Sequence, residues 1–99
     1  MITFICYLNW TDQGAKNLKD VGKWHQAGRS RAEKLGGRVL SGYVTTGQYD
    51  AVVTVEMPDG NALAKFVAGI AAGGNARTTT VQAFSHEEFS KLATEASRG

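Results

Sequence analysis

The order in which two hydrophobic periods alternate along this chain constrains its fold more than any other feature. "ITFICYLNW", residues 2–10, is rich in β-branched and aromatic side chains and reads as a strand. Thr11 suits a helix N-cap, with Asp12 in the favourable first turn. Leu18, Val21, His25, Gly28, Ala32 and Leu35 then recur at three- and four-residue steps, which gives one inward helical face. Val21-Gly22 is a weak point, so this region reads as a short helix followed by a longer one, and Gly36-Gly37 ends it. "RVLSGYVTT" (38–46) and "YDAVVTVEM" (49–57) are two strands, and the short link at Gly47-Gln48 makes them a hairpin. Pro58-Asp59-Gly60-Asn61 breaks the strand and offers a cap. A second helix carries Leu63, Phe66, Val67, Ile70 and Ala71 on one face and stops at Gly73-Gly74. "NARTTTVQAF" (75–84) is the fourth strand. "SHEE" (85–88) is a capping box that opens a C-terminal helix anchored by Phe89 and Leu92.

The order β-α-β-β-α-β plus a helix is the ferredoxin-like pattern of an α+β protein. Right-handed crossovers place the first strand centrally in a four-stranded antiparallel sheet, between strands three and four, with strand two at an edge. Both helices then cover one face. The other face needs a cover too. Phe4, Cys6 and Leu8 alternate with the equally apolar Ile5 and Tyr7, and strict alternation sets Leu40 and Val44 against Val39 and Tyr43. An antiparallel sheet with one face in water alternates more cleanly than this. The expectation is a homodimer packed sheet to sheet by twofold symmetry, with room for a higher homo-oligomer.

The 99 residues form one domain, its core spanning about 1–92, and 42% hydrophobic with 20% charged residues is a globular composition. The single cysteine, Cys6, lies in an apolar run and forms no internal disulfide, so a reducing compartment is expected. The first residues carry no basic region or small-residue cleavage site, and no apolar run approaches the ~20 residues of a membrane span. A cytoplasmic protein is the simplest expectation. Seven of eleven basic residues fall between Lys16 and Arg38, but a solvated helix face explains them better than nucleic acid does. The third strand lacks the aromatic signature of RNA-recognition sheets. No metal-ligand spacing occurs, and no cofactor is expected.

The topology gathers polar residues at one end of the sheet. Asn9 and Trp10 close strand one, Tyr43 and Thr45 close strand two, Tyr49 and Asp50 open strand three, and Arg77 opens strand four. A carboxylate at a strand mouth needs a partner. Asp50 and Arg77 can form that pair across strand one, either as an architectural tie or as a device that holds or deprotonates a ligand. His25, on the inward face of the first helix, is either a catalytic acid or base or a hydrogen-bonded core residue. Trp10, Trp24, Tyr43 and Tyr49 are candidates for an aromatic pocket, or for core and dimer packing. His86, in the first turn of the last helix, reads as solvated.

At this point "LNWTDQG" (8–14), "KNLKD" (16–20), "AEKLGG" (32–37), "GQYD" (47–50) and "GNARTTTVQAF" (74–84), taken in order, resemble the GYD-domain family. Gly47, Tyr49 and Asp50 carry its signature, and the likeness covers about residues 1–92. The resemblance implies a dimeric α+β barrel. Its wider relatives include cofactor-independent monooxygenases, isomerases and haem proteins that bind small molecules between sheet and helices. "KDVGKWHQAGRS" (19–30) departs from the family pattern, and Trp24, His25 and Gly28 look particular to this chain. Two functions follow. One is a small-molecule site, with His25 and Asp50 catalytic and Asn9, Trp10, Trp24, Tyr43, Tyr49 and Arg77 binding. The other is an oligomeric module whose polar edge is purely architectural.

Overall fold

The computed structural model describes residues 1–99. Strand β1 (Ile2–Trp10) leads into the short helix α1 (Asp12–Lys16), a 3-10 turn (Leu18–Asp20) and the long helix α2 (Val21–Lys34). Strands β2 (Arg38–Val44) and β3 (Ala51–Met57) form the hairpin. Helix α3 (Gly60–Gly73), strand β4 (Ala76–Ala83) and helix α4 (His86–Ser97) complete the chain. The four strands pair antiparallel in the order β2-β3-β1-β4, the ferredoxin-like arrangement expected from the element order.

Local chemistry sets the boundaries. The Thr11 side chain accepts from the Gly14 amide to start α1. Gly14 is buried, and a β-carbon there would run into the carbonyl oxygen of Asn75, which already accepts from the Thr11 amide. The α1–β1 corner is thereby fastened to the start of β4. Asp59 caps α3 by accepting from Ala62 at 2.8 Å, and Gly74 ends it at φ 79, a left-handed conformation. Ser85 and Glu88 satisfy each other's backbone amides in a complete capping box on α4.

The core lies between the sheet and α2/α3. Phe4, Cys6 and Leu8 of β1 pair with Val55, Val53 and Ala51 of β3, and this shared face meets Ala32 of α2 and Phe66 of α3. No residue of the opposite face, which carries Ile5, Tyr7, Val52, Thr54 and Val81, is buried. No helix is long and apolar enough to cross a membrane.

Three packing expectations change. The β2–β3 register shifts between Val39 and Ser41, so the extra residue Leu40 breaks the alternation. Val39 and Val44 therefore share the helix-facing side, while Tyr43 takes the other. Leu18 falls in the 3-10 turn rather than on a continuous helical stripe and is 45% exposed. Phe89 meets Phe84, ring centroids 6.4 Å apart, but neither it nor Leu92 buries α4 against the sheet, because every residue of that helix is exposed.

Candidate functional site

A cavity of about 400 Å³ opens between α2, α3 and the helix-facing side of the sheet. That volume falls in the range of small-molecule sites. Leu8, Val53, Phe66 and Ile70 give it apolar walls. Trp10 and Trp24 stand together in its lining, ring centroids 5.7 Å apart in an edge-on contact. His25 enters from α2 and lies against β2, where a β-carbon at Gly42 would stand 2.6 Å from its Cε1. A glycine within a strand often marks such a close approach. One helical turn on, Gly28 also lines the cavity, and a β-carbon there would meet nothing within 4 Å. The missing side chain leaves open space rather than close helix packing.

The polar residues expected to converge are distributed over two faces of the sheet. His25, Trp10 and Trp24 reach the cavity, and Tyr43 borders it although 69% exposed overall. Asn9, Tyr49 and Arg77 do not line it. Asn9 donates from Nδ2 to the Gln48 carbonyl at 2.9 Å, and Tyr49 packs on Tyr7 with centroids 4.6 Å apart, on the opposite face. The aromatic group is thus split by the sheet: Trp10 and Trp24 line the cavity and Tyr43 borders it, while Tyr49 packs on Tyr7 on the other face.

Asp50 and Arg77 form no ion pair. The two ion pairs of the chain are Lys23–Asp20 and Arg38–Glu56. Asp50 instead accepts from the Trp10 backbone amide through Oδ2 at 2.8 Å. Its own amide donates to the Leu8 carbonyl and its carbonyl accepts from the Thr45 amide, each at 2.8 Å. The physical reason lies in the strand mouth: β3 begins at Ala51, so no backbone carbonyl of that strand reaches Trp10, and the Asp50 carboxylate extends the ladder by one acceptor. Arg77, opposite Asn9 on β4, remains exposed.

Comparison with known proteins settles the family. The model of the GYD domain matches residues 4–93. The chain belongs to the GYD family. A related protein is the glutamine synthetase and cystathionine beta-lyase binding protein of Thermus thermophilus, 32% identical over 84 residues, which cover 84% of this chain and 88% of that protein. The crystal structure of TTHA0845, also from Thermus thermophilus, superposes with a TM-score of 0.54 at 28% identity, covering 86% of this chain and 95% of that one. The crystal structure of FFRP-DM1 shares the fold with a TM-score of 0.62 at 22% identity, covering 85% of this chain and all of that one (100%).

The GYD signature has a local account here. Gly47 adopts φ 120, which few side-chain-bearing residues tolerate in a hairpin turn. Tyr49 packs on Tyr7, and Asp50 completes the β1–β3 ladder. None of the three lines the cavity. The signature residues fasten the sheet end, and the cavity is lined by others.

Sequence reasoning missed Arg31, grouped there with the solvated basic face of the first helical region. Arg31 lines the cavity from α2. Its side chain crosses α3 at Gly69, where a β-carbon would stand 2.5 Å from Nε and 2.7 Å from Cζ. The signal was present in spacing: Arg31 lies three residues beyond Gly28 and six beyond His25, at the edge of the inward stripe. Cys6 is fully buried in the core, and burial pushes its thiol above the ordinary range, with the Thr80 hydroxyl pulling partly the other way. Such a thiol is a packing group rather than a nucleophile.

Proposed function

We propose that this GYD-family protein binds a small organic molecule in the cavity between α2, α3 and the sheet, and does so as a homodimer. The observation that carries the reading is the cavity itself: about 400 Å³, apolar walls, a tryptophan pair, and a histidine seated on a glycine. His25 is the residue we assign as acid or base if the bound molecule is turned over. The chemistry would then be of the cofactor-free kind, such as proton transfer, isomerisation or oxygenation. Asp50, Asn9, Tyr49 and Arg77 have architectural or outer-face roles in this reading. The dimer is supported by the uncovered sheet face, by Val81, Phe84, Phe89 and Leu92, each at least 44% exposed, and by an α4 whose residues are all exposed. A second copy laid on that face covers the sheet and receives α4.

Native mass spectrometry of the protein as purified tests both parts. A dimer with a reproducible small-molecule adduct, lost on Gly28→Phe, is the expected result. A monomer removes the dimer, and an adduct insensitive to Gly28→Phe removes the cavity assignment.

The Thermus relative's name favours a second reading, a module that binds other proteins and has no small-molecule role. In that reading the exposed apolar face takes an enzyme partner. Co-purification of glutamine synthetase with the wild-type chain, abolished by Val81→Lys on the outer face and untouched by Gly28→Phe, is the result that favours it.

A further inference from the structure

The cavity holds one formal charge with nothing to balance it. Arg31 lines it, yet its guanidinium has neither an ion-pair partner nor a hydrogen-bond acceptor within the chain. No aspartate or glutamate occurs anywhere in the lining. The guanidinium lies close over Gly69 of α3, where a β-carbon would stand 2.5 Å from Nε and 2.7 Å from Cζ. His25 lies in the same way against Gly42 on the other wall. Two glycines on two different elements thus make room for the two polar side chains that α2 sends into the cavity, and Gly28 keeps the space between them open.

A half-buried guanidinium among apolar walls is costly to leave unpaired, and its five N–H donors match a planar carboxylate in two parallel bonds. A single guanidinium balances a single negative charge. A dianionic phosphate would leave charge uncompensated against Phe66 and Ile70.

Resting on the cavity-binding reading above, we propose that the ligand is a small monocarboxylic acid whose carboxylate is clamped by Arg31. Its apolar or aromatic body lies against Trp10, Trp24 and Phe66, and its far end faces His25. Arg31 and His25 are six residues apart on α2, about 9 Å along the helix at 1.5 Å per residue. That separation requires an acid with a body of several carbons, so acetate-sized anions do not span the site.

The two tryptophans of the chain both line the cavity, so intrinsic fluorescence reports its occupancy. The probes are 3-phenylpropionate, its neutral amide 3-phenylpropanamide, and 2-phenylethyl phosphate. Each is titrated into the wild type, Arg31→Gln and Arg31→Lys, and folding of each variant is checked by its thermal midpoint. The carboxylate is expected to bind wild type about tenfold to a hundredfold more tightly than the amide, the spread set by a hydrogen-bonded charge pair. Arg31→Gln is expected to bring the carboxylate down towards the amide and to weaken the amide far less than the carboxylate, since the amide loses a hydrogen bond but no charge pair. Arg31→Lys, which keeps the charge and loses the fork, is expected to fall between. Equal binding of acid and amide, or a carboxylate affinity indifferent to Arg31→Gln, overturns the carboxylate assignment and leaves the cavity reading standing. Preference for the phosphate overturns it in favour of a phosphate ester. Failure of acid, amide and phosphate alike at millimolar concentration overturns both the assignment and the cavity reading.

Discussion

Replacing Gly28 with alanine is expected to stabilise the protein while weakening its ligand. Gly28 lies in the interior of α2, a helix of 14 residues, and does not adopt a positive φ. Glycine there costs roughly 0.5–1 kcal/mol relative to alanine, because the unfolded chain gives up more backbone freedom on folding. The gain survives only if the new methyl meets no obstacle. A β-carbon at residue 28 has no heavy atom within 4 Å beyond its own helix and chain neighbours, so the steric cost is absent. The net expectation is the whole propensity difference, roughly 0.5–1 kcal/mol, or a rise of about 2–8 °C in unfolding midpoint for a domain of this size. A urea titration should show a higher midpoint with an unchanged slope, since the surface exposed on unfolding hardly changes. Ligand binding moves the other way, because the methyl projects into the cavity between His25 and Arg31. Opposite signs for stability and affinity are the mark of a glycine retained for space rather than for backbone shape. A fall in stability refutes the reasoning, since it means that some group already fills the space beside residue 28.

Gly42→Ala would set its methyl 2.6 Å from His25 Cε1, so the half-buried ring must swing aside into the cavity; a denaturant titration should show a loss well below the roughly 1–3 kcal/mol of core overpacking, while ligand binding weakens. Asp50→Ala leaves the Trp10 amide without its acceptor and should cost about 1–3 kcal/mol, whereas Asp50→Asn, which keeps a side-chain oxygen, should cost less; equal losses in the two variants would argue against the hydrogen bond as the cause. Burial raises the Cys6 thiol pKa in the folded protein above its unfolded value, so the fold favours the protonated form. That contribution is complete below the ordinary thiol pKa of about 8.5 and is lost as the pH climbs through the raised folded value. The stability of wild type should therefore decline between neutral and alkaline pH more steeply than that of Cys6→Ala, and identical pH profiles would count against it.

Much of the fold was legible because it rests on short-range chemistry. Thr11, Asp59 and Ser85 announce their helices by capping, Gly74 ends one by its left-handed backbone, and the element order fixes the strand order. Where the reading failed, the deciding contact was set by tertiary geometry. A one-residue bulge at Leu40 reverses the faces of β2, and nothing in "RVLSGYVTT" marks it. The choice of Asp50 between Arg77 and a backbone amide depends on where β3 stops, which shifts by a residue or two without any change in composition. Arg31 was hidden by its company: six other basic residues lie between Lys16 and Arg38, and only the packing of α2 on Gly69 separates the inward one from the rest. Of the expected stripe, His25 and Gly28 line the cavity, Leu18 does not, and Arg31 sits on its edge.

The division of labour between the two ends of this fold follows from the same contacts. The family signature works at the hairpin and strand mouth, where Gly47 turns the chain, Tyr49 packs on Tyr7 and Asp50 extends the ladder to Trp10. None of these three residues lines the cavity. The cavity's polar groups and its empty space come from α2, through Trp24, His25, Gly28 and Arg31, and from glycines that seat them at positions 42 and 69. Trp10 is the link between the two: its amide is held by Asp50 and its ring meets Trp24. A fold fastened at one end, with its cavity lined largely from one helix, can change that lining without loosening its sheet. Substitutions in α2 at residues 24, 25, 28 and 31 should therefore change which molecule binds at little cost to the fold, whereas substitutions at 47, 49 and 50 should cost stability without changing the choice.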